Sequence, residues 1–257
     1  MATRQYTSGN LQRKSDFCVT YIPAKSGKII TTIHSKTAVL HGSKLHDICS
    51  TTLSDLHISY GRLEVTDTGG QYFVLKARIE AVIKAANPKT VAESLPEFKK
   101  HAQYKSRADR FRRSRLYLPG NQAKLMLNAG IHKPDAIILD IEDSVAPSEK
   151  NTARLIVRNA LRTLDFFGSE RMVRINQGKT GLKDLEAVIP HNVHLILVPK
   201  VETAKQLLEV DEKIQAIRKD CGRKDPVFLM PILESASGIL NSLEIAKASK
   251  NNVAIAM

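Results

Sequence analysis

The sequence predicts an α/β chain built mainly on a parallel sheet, preceded by a small α+β module. Three observations predict it. First, six short apolar runs recur after residue 113: RLYLPG (115–120), AIILDIED (136–143), MVRIN (172–176), LILVPKVE (195–202), VFLMPILES (227–235) and VAIAM (253–257). Second, helix-like stretches separate them, among them 149–164, 181–189 and 203–220. Near-continuous apolar strands alternating with helices belong to a parallel sheet covered on both faces. Third, polar residues suited to chemistry stand at the carboxyl ends of these runs: Asp140 and Glu142, Arg174 and Asn176, Lys200 and Glu202, Glu234. A (β/α)8 barrel builds its site there. The expectation over 113–257 is therefore an incomplete (β/α)8 TIM barrel of about six strand–helix units. A doubly wound sheet is the runner-up, but no GxGxxG opens a helix after the first strand.

Residues 1–86 read as the separate α+β module. FCVTYIP (17–23) and KIITTIHS (28–35) look like strands joined by a short loop holding Lys25, Ser26 and Gly27. Leu45, Ile48, Cys49, Leu53 and Leu56 fall at helical spacing. RLEVTD and QYFVL flank Gly69–Gly70, a hairpin signal. Leu75, Ile79, Val82, Ile83 and Ala86 make a second amphipathic stripe. Residues 87–112, with two prolines and many charges, read as a linker with room for one solvated helix.

The totals narrow the function classes. A formal charge of +13 raises nucleic-acid binding. The positives are spread along the chain and no aromatic-rich RNA-binding segment is present, so a basic surface for anionic metabolites or a charged partner is preferred. No run approaches the roughly 18 apolar residues of a membrane span. MATRQYTSGNLQRKSD lacks the apolar centre of a secretory signal. Cys18, Cys49 and Cys221 are scattered and form no CxxC pair, which argues for a reducing, cytoplasmic setting and against disulfides or zinc.

Each candidate residue has a functional and a structural reading. Three carboxylates, Asp140, Glu142 and Asp143, follow the run AIIL, where metal binding, substrate binding and helix capping are all open. Arg174 ends a strand; its planar fork suits a carboxylate, either a ligand's or a neighbouring acid's. Glu234 precedes small residues that let a helix N-terminus come close, so it is a hard-cation ligand or a capping acid. Lys200 and Glu202 are read first as a strand-end salt bridge.

Taken in order, SRLYLPGN, DxEDSVxxxEKxxAR, VRIN, VPKVETA and ESAxGxxN resemble the citrate lyase β-subunit family from about residue 113 onward. The wider group includes malyl-CoA and citramalyl-CoA lyases. SGNLQRKSDFCVTYIP, followed by GRLEVTDTGGQYFVLKARIEAVIKAA, is similar to the citrate lyase acyl carrier protein, the γ subunit, over about residues 7–86.

The resemblance implies a Mg²⁺-dependent carbon–carbon lyase that cleaves a citryl thioester on its own carrier to oxaloacetate and an acetyl thioester. It implies Glu234 as metal ligand and Arg174 as a clamp on a substrate carboxylate. Tyr117, Gly120 and Lys124 would line the substrate mouth. Asp140 and Glu142 would shape the metal's outer shell or orient Arg174, while Asp143 and Ser144 would cap the next helix. A covalent phosphoribosyl-dephospho-CoA arm, making the chain a phosphoprotein, is expected on a serine. In the family's GTLESxD pattern that serine lies four residues after the glycine, where this chain has Arg13; aligned on Asp16 instead, Ser15 falls one position late.

A transferase (α) subunit and a homo-oligomer are the implied partners, without nucleic acid or membrane. The chain stops at NNVAIAM, inside the expected sixth strand, where the family continues with a second metal-ligating Asp and two more units. It is therefore expected to be a truncated or split form, inactive alone, whose carrier module still folds because its core is local. Two alternatives stay open: a lyase acting on a free CoA thioester, and a non-enzymatic carrier or scaffold.

Overall fold

The computed structural model describes residues 4–257; the first three residues of the stretch read for a secretory signal lie outside them. Residues through Glu97 together with Asn151–Ala160 form one compact unit, and Phe98–Lys150 with Leu161–Met257 form another. No helix of the described residues is long and apolar enough to cross a membrane.

The first unit contains β1 (Tyr6–Ser8), β2 (Phe17–Ile22), β3 (Ile29–Ser35), α1 (Ala38–Asp55), β4 (Gly61–Asp67) and α2 (Tyr72–Ala86). The sheet order is β1-β2-β4-β3. β2 runs antiparallel to both β1 and β4, whereas β3 lies parallel to β4. The consecutive strands β2 and β3 are thus not neighbours, and β4 lies between them. Alternation on β2 and β4 buries Phe17, Val19, Leu63 and Val65 against Leu45, Cys49 and Leu53 of α1 and Ile79, Val82 and Ile83 of α2.

QYFVL does not form the second arm of a hairpin. Phe73, Val74 and Leu75 continue the helical repeat into Ile79, Val82 and Ile83, all buried, and the segment is the first turn of α2. Gly70 instead permits close packing at the β4–α2 turn, where a Cβ would come within 2.4 Å of the Phe17 ring.

Two buried guanidinium groups hold α2. Arg78 forms a two-pronged pair with Asp16, with Nε to Oδ1 at 3.1 Å and Nη2 to Oδ2 at 2.6 Å. Arg158, from the 151–160 stretch, does the same to Glu80, at 2.9 and 2.7 Å. Arg158 and Glu80 are both 0% exposed, so the packing of this unit is not confined to the N-terminal residues.

The second unit contains β5 (Arg115–Pro119), α3 (Ala123–Leu127), β6 (Ala136–Asp140), α4 (Lys150–Thr163, its middle assigned to the first unit), β7 (Glu170–Arg174), α5 (Gly178–Val188), β8 (Leu195–Val198), α6 (Ala204–Asp220), β9 (Phe228–Pro231), α7 (Ala236–Leu240) and α8 (Ser242–Lys247). All five strands are parallel and stand in chain order, β5-β6-β7-β8-β9. A doubly wound sheet reverses direction at a switch point; this order has none and is that of consecutive barrel staves.

The sixth strand expected at VAIAM is not formed. Only two isolated bridges occur, Leu229 to Asn252 and Ile232 to Ala256, so the register slips by one residue. Pro231 lies between them and has no N–H to donate to the next position. The hydrogen bonds pass from Val253 N to Leu229 O and resume from Ala256 N to Pro231 O.

The solvated helix expected within 87–112 is also absent; its regular structure is a 3-10 turn at Lys100–Ala102. Within the second unit the later part of this stretch is stitched to strand starts. Arg112 forks onto Glu170 at 2.7 and 2.9 Å, and the Tyr104 hydroxyl donates to Ser169 O at 2.5 Å.

Candidate active site at the strand ends

Alternation along the strands selects the side chains that face the site. Ala136 and Ile138 of β6, Met172 of β7, Leu195 and Leu197 of β8, and Phe228 and Met230 of β9 share one buried cluster. With a side-chain period of two, Asp140 and Arg174 come next on that face.

They are direct partners across β6 and β7. Arg174 donates Nε to Asp140 Oδ1 at 2.8 Å and Nη2 to Oδ2 at 2.7 Å, a bidentate pair. Asp140 is 1% exposed and also accepts the backbone N–H groups of Glu142, at 2.9 Å, and Ser144, at 3.2 Å. Burial alone would raise the Asp140 carboxyl. The hydrogen bonds from Arg174, Ser144 and Glu142 outweigh it and hold the group below the usual carboxylate range. The same bond to Asp140, with the nearby charges, lifts the guanidinium above its ordinary value against the effect of burial.

The third nitrogen of Arg174 is spent differently. Nη1 lies 3.3 Å from Glu142 Oε2 and 3.9 Å from Asp143 Oδ2. The guanidinium also sits over the Tyr117 ring, 5.3 Å from its centre. Glu142 is buried, and its Oε1 accepts from Lys200 Nζ at 3.1 Å and Gln177 Nε2 at 3.3 Å. Two cations therefore face three carboxylates. A cleft of about 430 Å³ past the ends of β7 and β8, walled by residues of α5 and α6, shares Lys200 with this cluster but is lined by none of its carboxylates and not by Arg174.

Tyr117 is partly exposed on β5, and burial raises its phenol. Nearby charges act on it in both directions, Arg174 and Arg115 lowering the phenol and Asp140 and Glu234 raising it. Glu234 itself is exposed. It does not cap α7: the Ser235 hydroxyl does, accepting the Gly238 N–H at 3.1 Å. Gly238 allows the close approach read from the sequence, since a Cβ there would lie 2.5 Å from Val201 O. Gly120 donates its N–H to Asp140 O at 2.7 Å, and Lys124 is exposed on α3.

Three expectations need correction. Lys200 pairs with Glu142 and Asp143, not with Glu202. Glu202 instead lies just ahead of α6, where its backbone N–H and that of Thr203 both donate to Gln206 Oε1. Asp143 and Ser144 do not cap the next helix, because a 3-10 turn at Pro147–Glu149, preceded by Ala146, leads into α4. Ser15 does not precede the first strand, as the reading of 17–23 as that strand implies, because β1 is formed at Tyr6–Ser8. It is half-buried between β1 and β2 in the first unit, with φ of 60°, and donates its N–H to Thr68 O at 2.9 Å. Gln177 was missed; its only sequence signal is its place just after the strand-end pair Arg174 and Asn176.

The donor set can be tested against a hard cation. Among the described residues no group of three or more His, Cys, Asp or Glu is placed to hold one. Asp140 and Glu142 are engaged by Arg174 and Lys200, which leaves Glu234 as the uncommitted carboxylate of the set. That fits a Mg²⁺ held by one carboxylate and completed by substrate oxygens and water.

Charged side chains gathered at the carboxyl ends of consecutive parallel strands define an enzyme-type site of the barrel class. Residues 113–257 match the HpcH/HpaI aldolase/citrate lyase family, and the chain belongs to that family. Residues 3–86 match an acyl carrier family described as malonate decarboxylase delta subunit (MdcD). Citrate lyase subunit beta of Leuconostoc mesenteroides subsp. cremoris is 38% identical over 152 residues, covering 58% of this chain and 50% of that protein. Mitochondrial citramalyl-CoA lyase of Rattus norvegicus is 36% identical over 134 residues, covering 51% and 40%. The chain thus spans about half the length of the citrate lyase relatives it matches. A solved citrate lyase beta subunit of M. tuberculosis, complexed with oxaloacetate and magnesium, is 28% identical with a TM-score of 0.44, covering 56% of this chain and 58% of that one.

Proposed function

We propose that the chain acts as a Mg²⁺-dependent carbon–carbon lyase of the citrate lyase type. It cleaves a citryl thioester to oxaloacetate and an acetyl thioester, with its N-terminal unit as the carrier and Ser15 as the attachment point of the phosphoribosyl-dephospho-CoA arm. The observation that carries this reading is the Asp140–Arg174 fork at the strand ends of a segment that matches the family. The carrier-type match of residues 3–86 supports a tethered substrate, since a tether raises the acyl group's effective concentration at the site. The reading carries with it a transferase (α) subunit, a homo-oligomer and a cytoplasmic setting.

The reaction breaks the bond between the carbinol carbon and the thioester α-carbon. The hydroxyl loses its proton and becomes the keto group of oxaloacetate, while the bonding pair leaves as the enolate of the acetyl thioester and is then protonated. Arg174, held in plane by Asp140, turns its Nη1 edge to a substrate carboxylate. Fixing that plane beforehand removes reorganisation from the reacting step. Glu142 and Lys200 hold Arg174's neighbourhood near charge balance. Tyr117, protonated at neutral pH, offers a hydroxyl at the mouth. Glu234 would hold Mg²⁺, which when bound makes the substrate hydroxyl more acidic and screens developing charge.

The test supplies citryl thioester and Mg²⁺ to the arm-loaded protein and follows oxaloacetate through NADH oxidation by malate dehydrogenase. Release that a chelator abolishes is the expected result and would overturn the sequence-based expectation that the chain is inactive alone; no release refutes the reading. Turnover of citramalyl-CoA or malyl-CoA instead would favour the second reading, a lyase on free CoA thioesters, which the Rattus norvegicus likeness supports. Intact mass after treatment with the arm-attaching enzymes reads the carrier role, and Ser15→Gly should remove the adduct. Absence of both adduct and turnover would leave a scaffold.

A further inference from the structure

We infer that Lys200 is a positioning residue of the strand-end site: its ammonium ties down Glu142, so that Arg174 stays seated on Asp140 and its third nitrogen, though ion-paired with Glu142, is not committed to it by a hydrogen bond. The ligand's identity rests on the function proposed above; the geometry does not.

Lys200 follows β8 and has φ of 50°, the left-handed region that side chains other than glycine rarely adopt. The other such residues of the second unit, Lys133, Phe167 and Asn192, lie in turns ahead of strands β6, β7 and β8. Lys200 alone among these stands at a carboxyl end, on the side of the charged cluster. Its Nζ lies 3.1 Å from Glu142 Oε1 and 3.5 Å from Asp143 Oδ1. Both acids follow β6, although β7 separates β6 from β8 in the sheet. A compact ammonium with three donors can serve two carboxylates at once.

Glu142 shows what that contact prevents. Its side chain is 3% exposed, and its Oε2 is buried without a hydrogen-bond donor, 3.3 Å from Arg174 Nη1. Among the described residues, Lys200 and Arg174 are the two cations within 4 Å of this carboxylate. Without Lys200, Arg174 would be the one cation left within reach of the buried carboxylate, with Gln177 its remaining neutral donor. A buried charge that loses a partner recruits whatever cation is in reach, so the guanidinium would be drawn off Asp140. Lys200 therefore acts through Glu142 on Arg174 and need not touch substrate.

The test compares Lys200→Met, Lys200→Arg and Lys200→Gly in the full chain. Two readouts are used: the Arg174 Nε–H resonance by NMR, and oxaloacetate binding with Mg²⁺ by calorimetry. Lys200→Met should move the resonance and weaken binding by about tenfold or more, as expected when a charged hydrogen-bond network loses one member. Lys200→Arg should restore the resonance and bind within about threefold of wild type, since the charge remains. Lys200→Gly should melt at or above wild type, because the left-handed backbone suits glycine, and yet bind as poorly as Lys200→Met. That outcome separates the ammonium's role from the turn's. An unmoved resonance in Lys200→Met overturns the inference, as does unweakened binding. If the wild-type chain itself binds no oxaloacetate, the functional reading falls, and the resonance alone decides the positioning role.

Discussion

Arg174 was open to two readings on the sequence: a clamp for a substrate carboxylate, or a partner for a nearby acid. The fold makes these compatible, because Asp140 takes Nε and Nη2 and leaves Nη1 on the other edge. Lysine offers one point charge in place of the fork. Arg174→Lys is therefore expected to lower kcat/KM for oxaloacetate release by about 100-fold or more, the scale of losing an oriented charge stabiliser. It should also lower the melting temperature, since Asp140 keeps at most one of its two bonds to residue 174 and a buried group left short costs roughly 1–3 kcal/mol. Turnover, far-ultraviolet circular dichroism and a thermal melt check this together. Near-normal turnover with unchanged dichroism would remove Arg174 from the site's chemistry. The fork's holder was legible only in part. Both acids flank the strand end in sequence, but which of them takes the guanidinium is set by lateral register, which pairs residue 140 with 174.

At the scale of elements, α6 has the best-defined start. Thr203 Oγ1 accepts the Gln206 N–H, and the Gln206 side chain returns to the Thr203 N–H, a complete capping box. Thr203→Ala should cost about 1 kcal/mol, or roughly 2–4 °C in melting temperature for a domain of this size. An unchanged melt would show the cap to be redundant. The five strands β5 to β9 were readable because each is a short, largely apolar run, four of them followed by a polar residue, and their chain order excludes a doubly wound sheet. QYFVL was not readable alone: five residues of apolar and aromatic character suit a strand or a helix, and the residues after it decide. VAIAM has the composition of a strand but does not pair as one. The obstacle is on its neighbour, where Pro231 removes a donor, and no property of the segment itself reports that.

At the scale of the whole molecule, acid sensitivity should begin above the carboxylate range. His194, 2% exposed, is pushed down to about 3, first by burial and then by the Arg171 charge. Below about pH 6.5 the unfolded chain takes up a proton that the folded chain refuses. Stability should therefore fall as pH drops from there toward 3, by roughly 1.4 kcal/mol per unit once the difference is a full proton. Asp140, held low in the fold, adds a loss of the same sign only within the carboxylate range. Chemical denaturation from pH 7 to 4 measures the slope, and His194→Gln should flatten its upper part; a flat wild-type profile contradicts the assignment.

The pair between Glu80 and Arg158 bears on how the chain can be divided. A piece ending at Glu97 would keep Glu80 at the heart of α2 and lose its main counter-ion, leaving only Lys84, 2.8 Å away and partly in water. Breaking a buried pair in this way costs on the order of 3–5 kcal/mol. The excised piece should be unstable by thermal melt, and Glu80→Met should recover part of the loss. The same pair also sets an order in time. As the chain is synthesised from its N-terminus, Glu80 emerges well before Arg158. Until the later residue arrives, the carboxylate must stay in contact with water. The unit that begins first thus cannot close on its own residues, and its final packing step waits on a stretch of chain made after the first two strands of the parallel sheet.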